Sequence, residues 1–75
     1  MGRSNYASEF GVAYISRSGR NGWQVDEVVR HLSLQVARAA VTLHTAYAGA
    51  VDGTQARVIP PGFHAVEGKA WTGGK

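Results

Sequence analysis

Apolar positions in this chain recur with two different periods, separated by breaks rich in glycine and small polar residues. Phe10 to Ile15 reads Phe-Gly-Val-Ala-Tyr-Ile. The run is β-branched and aromatic, places Phe10, Val12 and Tyr14 on one side of an extended chain, and predicts a first strand. From Gln24 to about Ala50 the spacing changes. Val25, Val29, Leu32, Val36, Leu43 and Tyr47 recur every three or four residues, with Val28, Ala39, Ala40 and Ala46 at the margins, which is the stripe of a helix facing a core. Asn21 as cap, Gln24 three residues later, and Asp26 and Glu27 near the positive helix end favour a helix start near Gly22. Gly49 or Asp52-Gly53 would end it.

On a helical wheel Leu34, Ala37, Val41 and Ala48 fall roughly opposite that stripe, in the sector a solvated helix fills with charge. A helix apolar on two faces needs two covers. The 75 residues leave little to cover both, so the second stripe predicts a partner, most simply another copy of the chain.

Thr54 to Ile59 alternates, Pro60-Pro61-Gly62 has the order of a type II turn, and Phe63 to Val66 resumes an extended pattern, which together predict a hairpin. Residues 1–9 read as an amino-terminal arm around Tyr6, residues 10–66 as a single domain, and residues 67–75 as a glycine-bearing tail, flexible unless Trp71 docks. The predicted fold is α+β: one long two-faced helix packed on a small, mostly antiparallel sheet of two or three strands, in the order β-α-β-β.

Composition narrows the class further. The chain holds no cysteine, which excludes disulfides and cysteine-ligated metals, so oligomerisation is the remaining common reinforcement for so small a core. No apolar leader follows the opening Met-Gly-Arg-Ser-Asn-Tyr, and charges interrupt the long apolar pattern. The expected location is therefore the cytoplasm where the chain is made, or a virion, with no membrane partner. Net charge is +3, from eight basic and five acidic residues, a mild bias without a basic tail.

Candidate chemistry is sparse. Ser16 to Gly22 places glycines, hydroxyls and two arginines before the expected helix start, so Arg17 and Arg20, with Arg30 and Arg38, are the candidate phosphate or nucleic-acid contacts. The glycine pattern and lysine of a nucleotide-binding loop are missing. His31 and His44 would lie about 140° apart on one helix and cannot share an ion, and His64 is remote, so no metal and no cofactor is expected. A serine with His44 or His64 and Asp52 lacks any framing motif, and adjacent Asp26 and Glu27 read as first-turn helix charges, so no enzyme activity is expected. Trp71 is costly to leave in water and should dock on a neighbour or on the chain's own sheet.

These features predict a non-enzymatic structural or interaction protein that self-associates through Leu34, Ala37, Val41 and Ala48, with Trp71 and the arms extending the contact. A small virion or assembly component is a setting that fits. The alternatives are a basic nucleic-acid-associated module and a small inhibitor docking on a larger protein.

Overall fold

A computed structural model describes residues 9–19 and 22–73. In chain order the elements are β1 (Phe10–Arg17), β2 (Trp23–Leu32), α1 (Leu34–Ala46), α2 (Ala48–Asp52) and β3 (Gln55–Ile59). The strands form an antiparallel sheet in the order β2-β1-β3. The fold is α+β, with one longer helix packed on a three-stranded sheet.

The order of elements departs from expectation in two places. Residues 23–32, expected to begin the long helix, form β2, which returns antiparallel to β1. Two irregularities of register explain the misleading period. Tyr14 pairs with Glu27 while Ile15 pairs with Val25, so Asp26 is an extra residue, and Phe10 pairs with Leu32 while Val12 pairs with Val29. In the second, His31 takes a left-handed φ of 65°, the conformation a bulge residue often adopts. Two bulges turn the strict alternation of a strand into apolar positions at 25, 28, 29 and 32, which is the spacing of a helix turn.

Helix α1 begins only after Ser33, an extended residue (φ −75°, ψ 162°) whose Oγ accepts from the Val36 amide at 3.2 Å. Asn21, the cap expected from sequence, lies outside the described residues. The helix breaks at Tyr47, and the short α2 ends at Gly53, whose N–H donates to the Gly49 carbonyl at 3.0 Å. Asp26 and Glu27 are exposed strand residues, not first-turn helix charges.

Because β1 is central, its residues are buried on both sides: Val12, Ala13 and Ile15 are inaccessible and Gly11 is buried. Val12 meets Ala37 of α1 and Ala56 of β3, with Phe10, Tyr14, Leu32, Ala40, Val41 and Val58 around them. On the opposite face Ala13, Ile15, Val25 and Ile59 form a second cluster, joined by Trp23, Val28, Phe63, Ala65 and Trp71. The molecule therefore has three layers: helix, sheet and carboxyl-terminal segment.

That segment is a strap and not a return strand. The turn after β3 forms as the Pro-Pro-Gly order requires, with Gly62 at φ 88° and the Phe63 N–H donating to the Pro60 carbonyl at 3.2 Å. Phe63 to Val66 carries no strand pairing; instead it crosses beneath the sheet. The Val25 amide donates to the Lys69 carbonyl and the Gly68 amide to the Val25 carbonyl, each at 2.8 Å, and the Trp71 amide donates to the Trp23 carbonyl at 2.9 Å. The strap thus runs along the outer edge of β2.

A candidate assembly surface on helix α1

The face of α1 that meets the sheet is the one expected to be free. Ala37 is fully buried against Val12 and Ala56, Val41 packs on the same cluster, and Leu34 is half-buried. Ala48 is exposed on α2. The reason is one of phase: a stripe anchored on Val25, Val29 and Leu32, which belong to a strand, assigns the core to the wrong side of a helix that starts at Leu34.

Correcting the phase leaves Val36, Leu43 and Tyr47 in water, exposed by 52%, 58% and 69%. Ala39 and Ala46 lie between them and are exposed as well. The 13 residues of α1 include a single formal charge, Arg38. A solvated helix flank normally carries several charged residues, so an apolar stripe of this length is unusual for a surface.

The position of the stripe over the sheet follows from the other flank. Thr45 lines an open cleft of about 460 Å³ with Gly49, Ala50, Gly53, Thr54, Gln55 and Arg57, beside β3. Leu43 and Tyr47 are about 160° around the helix from Thr45 and so point toward the β2 side. Val29 pairs with Val12 and shares its face; it stays only half-buried there. Helix α1 thus covers β3 and β1, and its apolar flank overhangs the partly open surface of β2.

Trp71 docks within the chain. Its ring meets Phe63 edge-on at 5.5 Å between centroids and packs on the Ala13, Ile15, Val25 and Ile59 cluster, so the tail is bound to its own sheet rather than presented as an assembly arm. The amino-terminal arm with Tyr6 lies outside the described residues.

The candidate phosphate contacts do not converge. Arg17 lies over the Trp23 ring, 5.6 Å from its centroid, and the Arg30 guanidinium donates to the Phe63 carbonyl on the strap side. Arg38 is exposed on α1, on the other side of the sheet. Arg20 lies outside the described residues. No two of the described three share a patch.

One polar constellation matches no sequence motif, because its central residue is a threonine and its members meet only in the fold. Thr54 Oγ1 lies 2.7 Å from His44 Nε2 and donates to Asp52 Oδ1 at 2.6 Å, and the Thr54 amide donates to the same oxygen at 2.9 Å. The bond from the Thr54 hydroxyl first and that from its amide second hold the Asp52 carboxyl below the usual range against the opposing effect of desolvation, with a lesser pull from the nearby His44. An ionised Asp52 takes the one hydroxyl proton, so His44 donates to Thr54 and does not accept from it. The geometry is that of a clip tying α1 to the start of β3, not of an activated nucleophile, in which the base must receive the hydroxyl proton. The His44 ring also packs on Tyr14 at 5.1 Å.

Among the described residues no three His, Asp or Glu side chains gather as a metal site, and no helix is long and apolar enough to cross a membrane. No family model, no curated protein and no solved structure matches the chain.

Proposed function

We propose that this protein is a non-enzymatic assembly module that self-associates through the exposed flank of α1. The observation that carries the reading is the stripe of Val36, Leu43 and Tyr47, each more than half exposed, on a helix with one charge. Leaving such side chains in water forgoes the free energy of their burial, and a patch of this kind on a small domain marks a contact site. A virion or other assembly component is a setting in which a compact unit with one apolar flank serves as a paired building block.

The test is absolute mass by light scattering across a concentration series. Wild type is expected to rise above the monomer mass, and Leu43→Glu to return it to a monomer with an unchanged circular dichroism spectrum. A Leu43→Glu protein that stays assembled, or a wild type that is monomeric throughout, sinks the proposal. The monomeric outcome would favour a different protein as the occupant of the flank.

A further inference from the structure

We infer that the occupant of the α1 flank is the same helix of a second copy, laid antiparallel about a two-fold axis between Val41 and Thr42. This rests on the self-association proposed above and specifies its geometry. The stripe consists of Val36, Ala39 and Leu43 of α1 with Tyr47 at its carboxyl cap, spaced three, four and four residues apart, which keeps it close to one line along the helix. Reversed against itself, the stripe sets each Val36 opposite the partner's Tyr47 and each Ala39 opposite the partner's Leu43. Large side chains then meet smaller ones along the whole seam. A parallel pairing sets Leu43 on Leu43 and Tyr47 on Tyr47, and leaves a gap where two alanines face each other, which close packing disfavours.

Three further observations favour a second copy. An isologous contact brings every group near its own equivalent across the axis, so charges close to the axis would repel; the helical stripe has none and Arg38 lies on the other flank, while the adjoining face of β2 carries the exposed Glu27, opposite Tyr14. Antiparallel helices also place opposite dipole ends side by side. The side chains of the stripe, with the half-exposed Val29 beneath, offer on the order of 500 Å² per copy, and about 1,000 Å² for a pair is the lower bound of a specific interface. In the pair, each α1 lies between its own sheet and the open β2 surface of the other copy, so two sheets enclose a layer of two helices.

The absence of cysteine makes disulfide trapping a clean test. Val36→Cys and Tyr47→Cys variants are prepared singly, checked by circular dichroism, and oxidised alone and as an equal mixture at concentrations where wild type scatters as a dimer. The antiparallel seam joins residue 36 to residue 47 of the other copy, so the mixture should give covalent dimer from at least about half the molecules, the share that random exchange places in mixed pairs, and more as exchange refills them. Each variant alone should give none, because equivalent residues are then about 16 Å apart along the axis, beyond disulfide reach. Covalent dimer from either variant alone would overturn the antiparallel seam. A dimeric wild type with no covalent dimer from the mixture would overturn it too, while leaving self-association through another surface. A wild type that never exceeds the monomer mass removes the self-association reading itself.

Discussion

Asp52 shows how one side chain couples the helical layer to the sheet and to pH. Its carboxyl is held below the usual range by the Thr54 hydroxyl and amide, so its contribution to stability is complete above the ordinary carboxyl value and is lost as pH falls through the depressed one. Asp52→Asn is expected to remove that acid-limb decline, visible as a flatter plot of denaturation midpoint against pH below about 4. Thr54→Val, which deletes the shared hydroxyl, should bring the Asp52 carboxyl back toward its ordinary value in an NMR titration. Gly11 makes a different point. A Cβ there would sit 2.5 Å from the Val29 carbonyl oxygen, so β1 and β2 must separate to admit it. Gly11→Ala should cost about 1–3 kcal/mol in urea denaturation.

Among the elements, helix and strap divide the cover of the sheet. Val41 belongs to the packed face of α1, so Val41→Glu is expected to unfold the domain, whereas Leu43→Glu two residues on alters only assembly; thermal melts of the two variants check the contrast. Trp71 anchors the strap, and Trp71→Ala should destabilise by roughly 2–4 kcal/mol, since half of a large ring and its edge contact with Phe63 are lost. Hydrogen exchange should then show the Val25 amide, which donates to Lys69, exchanging faster than amides between β1 and β3. The strap also covers part of one sheet edge. Along β2 its backbone fills part of the outer edge, and β3, paired on one side by β1, is short, carries Arg57 and runs into two prolines. Those are the features by which natural sheets discourage edge pairing, which leaves the helix flank as the better route to assembly.

For the whole molecule, the expected association is weak, of micromolar order or above, because the area is small and association has its own entropic cost. Its response to salt separates the readings. An apolar seam between two copies of net charge +3 should hold or tighten as sodium chloride rises from roughly 50 to 500 mM, since screening removes repulsion without touching the apolar contact. Binding through arginines to phosphate would weaken steeply over the same range. Scattering at the two salt concentrations decides between them.

The α+β class, the first strand and the turn at Pro60 to Gly62 were legible in sequence, because each rests on local preference. That part of residues 24–50 is helical and apolar on more than one side is also legible there, but the helix starts ten residues later than the pattern places it. Which side is packed is not legible. That depends on where the helix starts, and the bulges at Asp26 and His31 make a strand imitate the helical period across just the residues that would set the phase. Bulges arise from register between strands, which a pattern along one strand does not carry. The docking of Trp71 and the meeting of His44, Asp52 and Thr54 likewise join residues through the path of the chain in space. The sequence by itself determined how much apolar surface the protein carries, and the tertiary structure decided which part of it packs on the sheet and which part stays exposed.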